Sequence, residues 1–182
     1  MNCSVIERCQ RSAKRMAVAT RALLLTVVAL PVAAAIWFAF DQAPFESLAQ
    51  ARFGPTTTLN DVVQLMIVGL IIALQIGVLV LALLQLARAF DGFSEGEPLN
   101  LKAARNMRSA GWMFGVGTVL SVILQAPFSY AVTMANGPGD RVIAVAVSSS
   151  HVVGFFAAAA LIALSHIVAM AAEVREDHRQ II

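Results

Sequence analysis

Apolar residues in this chain gather into four long runs that no Asp, Glu, Lys or Arg interrupts. They extend over residues 22–40, 62–87, 109–135 and 142–172. About 20 apolar residues in a helix cover the ~30 Å of hydrocarbon in a bilayer, so each run is long enough to cross. Backbone N–H and C=O groups cannot stay unpaired in lipid, which leaves helices or closed barrels. None of the runs shows the alternating pattern of a barrel strand. The pattern therefore predicts an all-α fold, a transmembrane four-helix bundle.

Between the first two runs, Phe45, Leu48, Ala49, Arg52 and Phe53 recur at helical spacing, with Glu46 and Gln50 left for water. That predicts a short helix lying on the outer surface of the membrane, broken by Gly54-Pro55. Thr58 or Asn60 is positioned to cap the second span. On the opposite side, Leu86, Phe90 and Phe93 carry the apolar stripe of the second span onward as half of a helical hairpin. Gly92 and Gly96 are expected to stop that helix, with Pro98 preventing its return. Asn100 then caps the helix that carries Lys102, Arg105 and Arg108 back toward the membrane.

Orientation follows from the basic residues. Eleven of the 13 Lys and Arg lie before residue 22, between residues 88 and 108, or after residue 172. Only Arg52 and Arg141 fall in the other two connections. Positively charged loops remain in the cytoplasm, so both termini are expected there. Residues 1–21 would form a cytoplasmic segment, 22–172 the membrane domain and 173–182 a cytoplasmic tail. Arg11, Lys14, Arg15 and Arg21 ahead of Ala33-Ala34-Ala35 also have the outline of a signal peptide. The apolar run continues past that point through Ile36, Trp37, Phe38 and Phe40, which favours an uncleaved span with its aromatic residues at the outer interface.

Composition agrees with this picture. Hydrophobic residues make up 59% of the 182 positions and charged ones 13%, against roughly 25% charged in an ordinary soluble domain. Too few charges remain to coat a water-exposed surface. No basic stripe with interleaved aromatics supports direct nucleic-acid binding. Cys3 and Cys9 match no zinc or redox spacing and read as free thiols, with palmitoylation the alternative.

Polar residues within the runs are few. Gln64 and Gln75 lie eleven positions apart, within about 20° on one helical face, and should point at neighbouring helices rather than lipid. Gln85 and Gln125 complete the amides. Gly111 and Gly115 form a GxxxG pair followed by Gly117. The fourth run carries small residues at Ser150, Gly154, Ala158, Ser165, Ala169 and Ala172. Such residues allow close helix approach, within the bundle or in a homodimer. Pro31 and Pro127 are expected to kink their helices. His151 and His166 are about 22 Å apart along a helix and cannot share a metal ion. With no acid nearby, His151 beside Ser148, Ser149 and Ser150 reads as a hydrogen-bonded structural residue, a pH response remaining the alternative. His178 falls in the tail. No catalytic residue, metal or cofactor is expected.

Three stretches carry a family resemblance. Leu86-Ala87-Arg88-Ala89-Phe90 leads on to Gly96-Glu97-Pro98-Leu99-Asn100. Gly111-Trp112 opens the third span. The ending runs from Met170-Ala171-Ala172-Glu173 through Glu176-Asp177-His178 to Ile181-Ile182. In these the chain resembles bacterial four-span membrane proteins of the domain-of-unknown-function family 2975. The resemblance implies a multi-pass protein of the bacterial inner membrane, with no enzymatic activity and no established functional residues. Because such proteins are often encoded beside helix-turn-helix regulators, it also implies a membrane partner or sensor that docks a cytosolic transcription factor. A small transporter or pore subunit is the alternative, motivated by Gln75, Gln125 and the two prolines.

Overall fold

The computed structural model describes residues 3–59, 61–94, 101–137 and 139–180. Its elements are α1 (Cys3–Phe40), α2 (Ala43–Phe53), α3 (Val62–Ser94), α4 (Leu101–Ile123), α5 (Gln125–Thr133) and α6 (Ser149–Gln180). Four helical stretches are long and apolar enough to cross a membrane: Lys14–Phe40, Val62–Phe93, Leu101–Thr133 and Ser149–Val174. The all-α, four-span architecture expected from the hydropathy pattern is thus the observed one.

The helices pack in chain order. α1 lies on α3, α3 on α4, and α4 on α6. Among the described residues no substantial interface joins α1 to α6, so the bundle is an open row rather than a closed ring. Neighbours run antiparallel. Arg21 of α1 meets Asp91 of α3, with the guanidinium 2.8 Å and 3.0 Å from the two carboxylate oxygens. At the other end Phe45 of α2 packs edge-on against Trp37 and Phe38 of α1, at centroid distances of 6.4 and 5.3 Å. Edge-to-face geometry is the favoured one for such rings.

The short surface helix forms where the spacing of Phe45, Leu48 and Phe53 placed it. The Asp41 carboxylate accepts from the Ala43 N–H at 3.1 Å, and Pro44 needs no donor partner in the first turn. The helix ends at Gly54, whose φ of 113° only glycine adopts without strain. The cap of α3 differs from expectation. Asp61, rather than Thr58, accepts from the Val63 N–H at 3.0 Å; Asn60 lies outside the described residues. A carboxylate also suits the positive end of the helix dipole.

Three further boundaries depart from the sequence reading. α1 is helical from Cys3, so part of the segment ahead of residue 22 belongs to the same 38-residue helix as the span. The third run is two helices. Pro127 has no N–H to give the Ile123 carbonyl, and the helix stops at Ile123 and resumes at Gln125. Pro31, by contrast, lies within α1 without ending it. The fourth run begins as irregular chain, and α6 starts at Ser149 rather than Val142.

Glycine decides how closely the row packs. A Cβ on Gly111 would lie 2.8 Å from Ile162 Cγ1 and 3.1 Å from the Ala158 carbonyl oxygen, so the GxxxG pair seats α6 of the same chain. A Cβ on Gly154 would lie 2.6 Å from Thr118 Oγ1. Gly92, expected as a helix stop, sits inside α3, where a Cβ would come within 3.2 Å of the Ala103 Cβ. Its role is to let the hairpin arms approach. Gly96, Pro98 and Asn100 lie outside the described residues.

Gly111→Ala is therefore expected to push α4 from α6 and to destabilise the fold by ~1–3 kcal/mol. Gly77→Ala, with nothing within 4 Å of the new methyl, should be neutral or slightly stabilising. Reversible unfolding in mixed micelles measures both.

Candidate functional site

Polar residues of α5 converge on the segment between α5 and α6. Gln125, Ser129 and Thr133 recur every four residues and share one face of α5. Four helical residues rise about 6 Å, close to the ~6.6 Å of two extended residues. The chain returning from Gly139 exploits that match. The Val142 N–H donates to Thr133 Oγ1 at 3.0 Å, the Ala144 N–H to Ser129 Oγ at 2.9 Å, and the Ala146 N–H to Gln125 Oε1 at 2.7 Å. Alternate amides of an antiparallel extended segment are thus paired with side chains instead of a second strand. Ile143, Val145 and Val147 project outward, each at least 60% exposed.

His151 closes the Gln125 end of this ladder. Its Nδ1 lies 2.9 Å from Ser148 Oγ and 3.0 Å from the Ser148 nitrogen, and its Nε2 lies 3.3 Å from Gln125 Nε2. The Gln125 amide oxygen already accepts from Ala146, which fixes the NH2 group toward the imidazole. The Ser148 N–H donates to Nδ1, so this ring nitrogen is an acceptor toward Ser148. Ser148 also caps α6, its carbonyl accepting from the His151 N–H at 3.1 Å. The residue is hydrogen-bonded, as its serine-rich surroundings implied. His166 is exposed further down α6, and among the described residues no group of His, Cys, Asp and Glu is placed to hold a metal.

Beyond the ladder lies a buried amide cluster. Gln64 is fully buried and donates through Nε2 to the Val132 carbonyl at 2.6 Å. Asn136 donates to Thr57 Oγ1 at 3.4 Å and to the Asp140 carbonyl at 3.2 Å. Gln50 of α2 donates to the Thr57 carbonyl at 3.3 Å, and the Phe53 ring packs at a tilt against Phe128 of α5, centroids 6.4 Å apart. The surface helix, the start of α3 and the end of α5 are joined here. Gln64 Oε1 and Asn136 Oδ1 have no partner among the described residues, an arrangement costing about 1–3 kcal/mol for each oxygen that stays dry.

Gln75 faces α4, as its phase relative to Gln64 required, and lines a cavity of about 240 Å³ between α3 and α4. Gln85 is half-buried lower on α3. At the α3–α4 hairpin end Leu86, Phe90 and Phe93 are half-buried, while Arg88, Lys102, Arg105 and Arg108 are exposed. Cys3 and Cys9 lie in the first turns of α1. The sequence reading missed Thr57, Ser129, Thr133 and Asn136. The four-residue spacing of Gln125, Ser129 and Thr133 was the available signal, but it identifies a polar face without saying what lies against it.

Comparison with protein-family models, with curated proteins and with solved structures returns no match. The class therefore rests on the fold: four apolar helices in an antiparallel row define a multi-pass integral membrane protein.

Removing one rung of the ladder should free the amide it holds. In Ser129→Ala, hydrogen exchange at the Ala144 amide is expected to rise about five- to tenfold, matching the ~1 kcal/mol of one such bond. Exchange within α4 should not change, a contrast that mass spectrometry of the protein in nanodiscs can read.

Proposed function

We propose that this protein is a non-enzymatic membrane partner whose inner face docks a cytosolic regulator. The observation that carries the reading is the helical, basic character of that face. α1 continues as helix beyond its apolar run, and α3 and α4 extend past theirs to Ser94 and from Leu101. The exposed Arg11, Lys14, Arg15, Arg88, Lys102, Arg105 and Arg108 stand on these extensions. The Arg21–Asp91 pair ties α1 to α3 at the same level. Rigid helices carrying a dense positive field offer an acidic protein surface both steering and a defined shape. The resemblance to family 2975 supports a transcription regulator as that partner and the bacterial inner membrane as the location. The basic asymmetry supports cytoplasmic termini.

A second reading, a small transporter or pore subunit, draws on the Gln75 cavity and on the helix broken at Pro127. No Asp, Glu, Lys or Arg lies within the apolar runs to couple an ion. Docking is the better supported of the two.

Both parts are testable. Single cysteines at Ser47, Arg105, Asp140 and Glu173, in a background without Cys3 and Cys9, report sidedness. An impermeant thiol reagent on intact cells should label positions 47 and 140 only. Labelling at 173 in intact cells would invert the topology and move the docking face outside. For docking, a regulator captured by the wild-type protein in mild detergent should be lost at least tenfold with Arg105→Glu and Arg108→Glu together. Capture that ignores charge reversal, or unchanged transcription in a deletion strain, would refute the reading.

A further inference from the structure

We propose that the cavity between α3 and α4 is a binding site for a small uncharged alcohol entering from the bilayer. Gln75 lies thirteen residues from Val62 and twelve from Ala87, so its amide is at the centre of the apolar run. Among the described residues that amide has no hydrogen-bond partner, although it lines the cavity and faces it only half-buried. A primary amide in hydrocarbon without partners is costly. Gln64 and Gln125 each satisfy at least one group with protein, and Gln85 lies two residues from the end of the run rather than at its centre. Gln75 therefore has two donors and an acceptor available to a guest.

The rest of the lining sets the chemistry of that guest. Val78, Leu79, Ala82, Met113 and Phe114 supply an apolar wall. Ser121 at the same cavity spends its hydroxyl hydrogen on the Thr118 carbonyl at 2.8 Å, leaving an oxygen that accepts only. No acidic or basic side chain lines the space, so a charged ligand would lie unpaired in low dielectric. A hydroxyl fits better than a ketone, because it accepts from Gln75 Nε2 and donates to Gln75 Oε1 or Ser121 Oγ in the same pose. Size is restrictive as well. The volume of about 240 Å³ is below the ~300–1,000 Å³ of pockets that take drug-sized ligands. At ~30 Å³ for each water-sized group, a hydroxyl on a chain of about six carbons fills it. The open row leaves the cavity reachable from lipid without passage through the inner or outer face.

This site is separate from the basic inner surface, and its test does not involve a regulator. The probe is 1-hexanol, compared with n-hexane, on the protein in nanodiscs. The readout is the methyl carbon-13 signal of Met113, assigned by its loss in Met113→Leu. A saturable shift with hexanol is expected, with hexane at least tenfold weaker. Gln75→Leu should weaken hexanol about tenfold, equivalent to 1.4 kcal/mol, and this exchange of a polar for an apolar residue suits a membrane helix. Leu79→Trp, which fills the cavity and keeps the amide, should abolish the response. Equal shifts from hexanol and hexane would overturn the proposal, because they indicate partitioning into an apolar gap. An unchanged response in both variants would overturn it too. So would a cross-linked dimer that Gln75→Leu dissolves, with no hexanol shift, since a second copy would then satisfy the amide.

Discussion

Every backbone donor and acceptor that enters hydrocarbon must find a partner inside the protein, and the rest of this structure follows from that requirement. Five of the six helices belong to the four membrane-crossing stretches and meet it within themselves. The segment ahead of Ser149 cannot. It returns beside α5 without helical bonds, and its alternate amides are taken by Thr133, Ser129 and Gln125 in turn. The break at Pro127 belongs to the same problem, since a proline at that depth frees the Ile123 carbonyl. Irregular chain is tolerated here because α5 presents an acceptor every four residues to a partner that needs one every two.

Cohesion between the helices has a different origin. Lipid tails are as apolar as leucine, so no hydrophobic force draws one span to the next. Close approach at Gly111 and Gly154 supplies dispersion contact between α4 and α6, and Gly92 does the same for the α3–α4 hairpin. Polar ties mark the ends. The hairpin end carries the Arg21–Asp91 ion pair, which is exposed and by itself worth about 0–1 kcal/mol. The opposite end is held by neutral amides and hydroxyls around Gln64, Thr57 and Asn136, all three buried. With eleven of the 13 Lys and Arg at the hairpin end, the two ends suit different chemistry.

Much of this was legible in the sequence because hydropathy over twenty residues is a strong signal. The spans, the phase of Gln64 and Gln75, the surface helix at Phe45–Phe53 and its stop at Gly54 all follow from spacing alone. The start of α6 does not. Val142 to Val147 is as apolar as a helix, and only its β-branched alternation hints at extended chain, a preference that context easily overrides. Gly92 reads equally as a stop or a close approach until the residue opposite it, Ala103, is known. Thr58 and Asp61 are both competent caps by residue type, and only the structure shows that Asp61 takes the Val63 N–H.

The small polar residues explain why the site along α5 was harder to read than the fold. Serine and threonine inside a span usually return their hydroxyl to the carbonyl three or four residues earlier, as Thr26, Thr118 and Ser165 do here. Such a residue leaves no trace of a partner in the sequence. Ser129 and Thr133 make the same local bonds, to Ala126 and Ser129, and yet their oxygens also receive the amides of Ala144 and Val142. One hydroxyl serves its own helix as donor and the neighbouring chain as acceptor. That dual use is invisible to periodicity, because the local bond alone already accounts for the residue. It requires only that an extended segment lie within 3 Å on the correct face, and the break at Pro127 together with the return at Gly139 brings one there.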